Sequence, residues 1–397
     1  MARSKKILYL ITTLSIVLIG VIIGIVFYVF DNVNQFTTYD QNTTIANANV
    51  GGLYYSEARD AVSNNAFEWR RNAKVNLTYQ GYEIKVEPAI FSFDVSKSMS
   101  ELKDGQENQL YVTINNENKA YLNDLIDQHK NDFQFSQFNL ENLEKDLLAK
   151  VAELYLDIEL DLGVYVEDTP ADRQVLSTAR IKNVLNPLDF QMKYKELVGQ
   201  LTITGQTQFS LLAFNQALLD TKEANFTDDD LNIIATAIYE LIIETNFRNI
   251  NKHTSPYMKD VKNYVNPGFE ALINSVLQYD LTFYNPNPMN YFIYLEVDGN
   301  DLIFTLRGVP FLHEIQKSFT IIDYYVEPII VHMTNYYGEP ILPGEQLIVD
   351  RGEKGYRVIM KREITDIDDE TYERTIYEDI YQAIPSKIYK NPEKAGK

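Results

Sequence analysis

The sequence predicts an α+β multidomain protein with a single N-terminal transmembrane helix, two α+β extracytoplasmic domains and a small C-terminal antiparallel β-domain. Three observations predict it. Ile7–Phe30 is uncharged throughout and long enough to cross a hydrocarbon core of roughly 30 Å. From 50 to 312, stretches of helical apolar spacing interleave with alternating, strand-like stretches. From 313 onward the pattern is strand only, punctuated as turns by Pro343-Gly344, Gly352 and Gly355. At 397 residues the chain exceeds one ordinary core, and 45% apolar with 12% aromatic content belongs to a folded protein. The expected borders are a basic cytoplasmic tail (1–6), the membrane segment (7–30), a polar spacer (31–49), α+β domains at 50–170 and 171–312, and a β-domain with tail at 313–397.

Arg3, Lys5 and Lys6 precede the apolar run and Asp31 follows it, which predicts a single-pass cell-membrane protein, N-terminus cytoplasmic and bulk of the chain extracellular. The run lacks a small-x-small cleavage site, so it reads as a signal-anchor. Gly20 and Gly24 form a GxxxG pair, readable as a seat for a partner helix or as glycine tolerated in a membrane helix. A net charge of −20 argues against nucleic acid and other polyanions as partners unless cations intervene. Cysteine is absent. Thiol nucleophiles and thiolate metal sites are thereby excluded, and an exported chain without disulfides fits a Gram-positive envelope.

Leu53, Ala58 and Val62 fall at helical spacing, and "AKVNLTYQGYEIKVEP" reads as two strands hinged at Gln80-Gly81. Helical spacing continues from 118 to 155 through Leu122, Ile126, Leu143, Leu147 and Val151. "LYLDIELDLGVYVED" alternates strongly and sets Asp157, Glu159 and Asp161 on one face, either a hard-cation surface or the solvated side of a strand. Thr227 with Asp230 forms a capping box, so Asp228, Asp229 and Asp230 read as the favourable acidic first turn of a helix. His253 falls in a polar turn beyond that helix. Asp298-Gly299 between two alternating runs predicts a type I′ hairpin.

Enzyme signatures fail. Ser100 and Lys103 make an S-x-x-K without S-D-N or K-T-G, and G-x-S-x-G, H-E-x-x-H and the glycine-rich phosphate loops are missing. His129, His253, His313 and His332 lack ligand spacing, so neither a metal nor a cofactor is expected.

"VGGLYYSEARDAV…VNLTYQGYEIKVEPAIFSFDV" resembles the peptidoglycan-binding domain that precedes VanW domains in exported Gram-positive proteins. "GQTQFSLLAFNQAL", "LNIIATAIYELIIETNF", "NKHTSPYMKDVKNYVNPGFEAL" and "YDLTFYNPNPMNYFIYLEVDGNDLIFTLRG" follow in the order of a VanW domain. Thr236, Tyr239, His253, Tyr264, Val265, Gly268 and Ala271 fall on its pattern. The last stretch resembles the glycine-marked extracellular β-domain that often ends such proteins. Three departures matter. Asp228–Asp230 replace a glycine run, Asn232 and Ile233 replace Cys-Gln, and Glu270 stands for Asp. Cys, His and Asp would supply nucleophile, base and orienter. Asn232 cannot be that nucleophile, so the resemblance implies a degenerate site at Asn232, Thr236, Tyr239, His253 and Glu270, with no catalytic residue. The function expected is a membrane-anchored, non-enzymatic envelope protein binding peptidoglycan or an envelope partner. The alternatives are a wall-acting enzyme using His253 and Glu270, or a structural subunit of a secretion, competence or pilus assembly.

Overall fold

The structure, a computed structural model, describes residue 15 and residues 17–24, 37–133, 138–167, 169–170, 173–263 and 265–392. One expectation is corrected at once. Among the described residues no helix is long and apolar enough to cross a membrane. The helical residues 17–24 rise only about 12 Å, well short of a hydrocarbon core. The transmembrane part of the expected fold class, and the single-pass placement built on it, are therefore not supported. Most of 7–30 lies outside the described residues, as do Arg3, Lys5, Lys6, Tyr264 and the start of the spacer. What the structure presents is mixed α/β with many small sheets.

The chain divides into two compact units, Met1–Gln128 with Asn139–Tyr165, and His129–Phe138 with Val166–Lys397. In the first, α1 (Tyr55–Asn72) buries Ala58, Val62, Ala66 and Trp69, the three-and-four spacing of a one-sided helix. The Trp69 indole N–H donates to the Tyr155 carbonyl at 2.7 Å, and the ring meets Phe91 and Phe93 edge-on. β1 (Lys74–Tyr79) and β2 (Tyr82–Val86) pair antiparallel around Gln80 (φ 49°) and Gly81 (φ 97°), the two positive-φ places of a primed hairpin turn. α2 (Leu140–Ala152) buries Leu143, Leu147 and Val151. β3 (Asp157–Asp161) runs parallel to β1, burying Ile158 and Leu160 while Asp157 and Glu159 face solvent. Asp161 turns inward enough to accept the Gly163 N–H at 2.8 Å.

The second unit runs through β4 (Gln174–Ile181), α3 (Pro187–Leu197), β5 (Leu201–Ile203), β6 (Gln208–Ser210), α4 (Leu211–Lys222), α5 (Asp228–Ile243), β7 (Arg248–Asn251), β8 (Thr282–Tyr284), β9 (Tyr291–Asp298) and β10 (Asp301–Gly308). An antiparallel sheet of order β5-β9-β10-β4 carries α5 on one face. The β9–β10 turn sits one residue later than expected. Asp298 pairs with Asp301, and Gly299 (φ 61°) takes the first central position, where a type II′ turn places glycine. The chain then forms β11 (Glu314–Tyr324), β12 (Ile329–His332), β13 (Gln346–Asp350), β14 (Gly355–Thr365), β15 (Thr371–Tyr381) and β16 (Lys387–Lys390). These make two three-stranded sheets, β11-β14-β15 and β12-β16-β13.

α5 is buried from Leu231 to Ile243, with ten of those residues enclosed, so its C-terminal end cannot rely on water while its start stays at the surface. At its start Thr227 accepts the Asp230 N–H at 3.3 Å while Asp230 accepts the Thr227 N–H at 3.1 Å. Lys193 Nζ adds an ion pair to Asp230 at 2.7 Å. At its end the buried Arg362 of β14 donates Nε to the Ile243 carbonyl at 2.7 Å, Nη2 to Ile242 at 2.8 Å and Nη1 to Phe247 at 2.8 Å. A cation there also opposes the negative end of the helix dipole.

Removing Arg362 takes a charged donor from three carbonyls, of which Ile242 alone keeps the Thr245 N–H and hydroxyl among the described residues. Arg362→Ala is expected to cost on the order of 3 kcal/mol in urea unfolding, because each lost bond from a charged donor is worth roughly 1.5–3 kcal/mol before relaxation. Arg357→Ala, breaking the solvent-facing pair with Glu378, is expected to cost under about 1 kcal/mol. Equal losses would contradict the capping role.

Candidate functional site

The five sequence positions converge in part on the wall between α5 and the segment 252–273. Asn232 Oδ1 accepts the Ile273 N–H at 2.6 Å, and Thr236 Oγ1 accepts the Ala271 N–H at 3.4 Å. Both side chains bind the segment's backbone to the helix. Glu270 is buried, and its carboxylate accepts from the Ser255 N–H and the Ser255 hydroxyl, each at 2.7 Å. Asn232, Thr236, Ser255 and Glu270 line one cavity of about 30 Å³, room for little more than a water.

His253 does not join them through its ring. Its carbonyl accepts the Leu272 N–H at 2.7 Å, while the imidazole stacks on Tyr279 at 4.2 Å between centroids. Among the described residues no hydrogen bond or ion pair links His253 to Glu270. The Ser255–Glu270 pair therefore lacks the imidazole that would make a serine hydroxyl a nucleophile. Tyr239 is fully buried in α5, and its hydroxyl has no hydrogen-bond partner among the described residues. Burial pushes that phenol well above its ordinary value.

The ring of Tyr239 serves a residue the sequence patterns did not single out. Lys252 is buried, its side chain 0% exposed, with Nζ at 2.6 and 2.8 Å from the two Asp379 carboxylate oxygens and 2.8 Å from the Glu270 carbonyl. The Tyr239 and Tyr377 rings, edge-to-face with each other, both pack on it, each centroid 4.7 Å from the ammonium. The Tyr377 hydroxyl donates to the Lys252 carbonyl at 2.7 Å. Burial pulls the Lys252 ammonium down and pushes the Asp379 carboxyl up, each opposed by the charge of the other. Gly268, at φ 84°, turns its N–H onto the Tyr381 hydroxyl at 3.3 Å, so the 266–269 turn is fastened to β15 as well. These residues form a junction between α5, the 252–273 segment and β15. The three acids of the helix start divide similarly. Asp230 caps, Asp228 accepts from the Ser275 N–H and hydroxyl at 3.0 and 3.1 Å, and Asp229 faces solvent.

A second candidate lies on the β12-β16-β13 side. Asn335–Tyr336 pairs with Glu339–Pro340 in a tight hairpin whose central residues are Tyr337 (φ 49°) and Gly338 (φ 88°). A primed turn favours Asn or Gly at the first of these, because a Cβ is strained there. Tyr337 occupies it with its side chain outward, 91% exposed. Tyr336 packs edge-on against both Tyr337 (4.5 Å) and Tyr389 of β16 (4.9 Å). The tyrosines open onto a cleft of about 490 Å³, floored by Ile341 and Leu347 and rimmed by Glu339 and Glu345. The sequence signal was present in "NYYGEP", a tyrosine where a turn residue belongs. Among the described residues no group of three or more His, Asp or Glu is disposed to hold a metal ion.

No protein-family model matches this chain, and no curated protein matches it, so the VanW resemblance has no match behind it. Among the solved structures that align with part of it are two G5 domains. The crystal structure of HP0197-G5 is 10% identical over 20% of this chain and 97% of that one, with a TM-score of 0.16. The IgA1 protease G5 domain structure is 13% identical over 21% of this chain and 94% of that one, with a TM-score of 0.15. Both are G5 domains, and both likenesses cover about a fifth of this chain.

Two measurements test the junction. Lys252→Met alone leaves a buried carboxylate unpaired and is expected to cost about 3–5 kcal/mol. Lys252→Met with Asp379→Leu should recover much of that in urea unfolding, whereas additive losses would contradict a coupled pair. For the helix start, burial raises the Asp230 carboxyl, but bonds from Lys193 and Thr227 outweigh it and hold the pKa below the ordinary carboxylate value. A depressed acid stabilises above its unfolded pKa of about 3.9 and loses that as pH falls through the folded value. The stability difference between wild type and Asp230→Asn, about 1 kcal/mol at neutral pH, should therefore close as pH falls below the ordinary carboxylate range and through the depressed folded value. A gap that persists at acid pH would contradict the assignment.

Proposed function

We propose that this chain is a non-enzymatic cell-envelope protein that binds peptidoglycan glycan at the Tyr336–Tyr337 cleft. One observation carries the reading. Tyr337 holds a left-handed backbone that strains any side chain with a Cβ, yet it presents its whole ring to solvent. Its packing return is one edge-on contact with Tyr336, and strain kept for so little burial points to a ligand contact. An exposed ring beside carboxylates suits a sugar, whose C–H face packs on an aromatic plane while its hydroxyls donate to carboxylate oxygens. Glu339 and Glu345 stand at the rim for that purpose.

The non-enzymatic half of the reading is supported by the occupation of the candidate catalytic groups. Asn232, Thr236 and Glu270 are tied into backbone and serine hydrogen bonds, and the His253 ring lies on Tyr279.

The test is co-sedimentation of the chain with purified peptidoglycan sacculi, beside an acidic control protein. Retention above the control is expected. Tyr337→Ala should weaken it roughly tenfold, a loss of about 1.4 kcal/mol in line with one aromatic contact. Tyr337→Asn should weaken retention equally while raising stability by roughly 1 kcal/mol, since asparagine tolerates the left-handed turn. His253→Ala should bind as wild type. No retention, or retention indifferent to Tyr337, would overturn the glycan assignment. Release of soluble muropeptides by wild type but not by His253→Ala would favour an enzyme.

A further inference from the structure

We infer that a separate cleft beside the C-terminal end of α5 binds a tetrahedral oxyanion of the phosphate or sulfate class through Arg248, Arg362 and Arg374. The three arginines line one cavity of about 200 Å³, joined by Asn249 and Thr375 as further hydrogen-bonding side chains. Nothing in this assignment depends on the tyrosine cleft.

The charge at this cleft is uncompensated. Arg362 gives three of its N–H groups to carbonyls, which are neutral, so its full positive charge survives. Two of the five guanidinium N–H donors remain for a ligand. Arg374 stands directly opposite Arg362 in the β14–β15 ladder, an arrangement in which like charges repel. Burial, followed by the nearby Arg374 charge, pulls the Arg362 guanidinium down to about 10. Among the described residues neither the Arg248 nor the Arg374 side chain has a hydrogen-bond or ion-pair partner.

The same hairpin treats its other cations differently. Arg357 makes a two-pronged bond to Glu378 at 2.7 and 2.9 Å, and Lys361 pairs with Glu373 at 2.6 Å. Glu240 and Glu244 of the neighbouring helix end are engaged by Lys317. A chain with 56 Asp and Glu against 36 Lys and Arg does not lack carboxylates, yet none is supplied here. Opposed guanidiniums left without a carboxylate in an acidic protein are accounted for if an external anion bridges them. Three guanidiniums from separate positions require more than the two oxygens of a carboxylate, which selects a tetrahedral anion.

The test is thermal unfolding of the full chain with sodium phosphate, sulfate, glycerol phosphate, acetate or chloride at matched ionic strength. Phosphate and sulfate should raise the melting temperature saturably, as expected of an anion bound by the folded state alone. Glycerol phosphate separates the sources, since stabilisation by it identifies an esterified phosphate as acceptable and its failure restricts the site to the free ion. Arg374→Ala should weaken the apparent phosphate Kd at least tenfold, Arg374→Lys less, and Arg248→Ala by a severalfold factor. Without phosphate Arg374→Ala should melt no lower than wild type, because a facing like charge has gone, which separates lost binding from lost folding. Tyr337→Ala should leave phosphate binding unchanged. Equal melting in phosphate and chloride would overturn the site, as would undiminished binding by the Arg248→Ala, Arg374→Ala double variant. Stabilisation by acetate equal to that by phosphate would overturn the tetrahedral assignment.

Discussion

The second unit depends on one constraint, the satisfaction of a buried helix end. α5 lies so deep that its last carbonyls cannot turn to water, and an unpaired buried carbonyl costs about 1–3 kcal/mol. Arg362 meets that demand from a strand 119 residues away in sequence. Because the guanidinium is rigid and forked, it fixes where β14 stands relative to the helix as well as whether it stands there. The β11-β14-β15 sheet is thereby keyed to α5.

Lys252 and Asp379 form the second key in the same lock. A buried ion pair is a poor source of stability compared with apolar packing, because desolvating both charges nearly cancels their attraction. Its value here is positional. An ammonium packed on the Tyr239 and Tyr377 rings, bonded to Asp379 and to the Glu270 carbonyl, restricts the placement of β15 against the 252–273 segment. Asn232, Thr236 and Glu270 belong to this junction. Asn232 and Thr236 hold backbone, Glu270 holds Ser255, and the cavity left over accommodates about a water.

The two proposed binding clefts have opposite characters. The tyrosine cleft offers aromatic faces and carboxylate acceptors, suited to a neutral hydroxylated ligand. The arginine cleft concentrates positive charge inside a protein of net charge −20. The global field repels large polyanions at a distance, but it is screened within roughly 8–10 Å at physiological salt, so a small anion reaching the cleft meets the local guanidiniums.

Local signals in the sequence determined local structure. The Gln80-Gly81 hairpin, the Thr227–Asp230 box and the alternation of Asp157–Asp161 follow from backbone sterics and period, which need no distant partner. The apolar stretch 7–30 shows the limit of that reading, since composition alone suggested a membrane helix where the described residues offer none long enough. Tertiary structure alone decided the rest. That His253 stacks on Tyr279 instead of meeting Glu270, that Lys252 is buried, and that Arg362 caps a helix are outcomes of contacts between residues far apart in sequence. A lysine or an arginine in a strand pattern looks like a solvated residue until the fold places unsatisfied carbonyls or a buried carboxylate beside it, and no period in the sequence encodes that meeting.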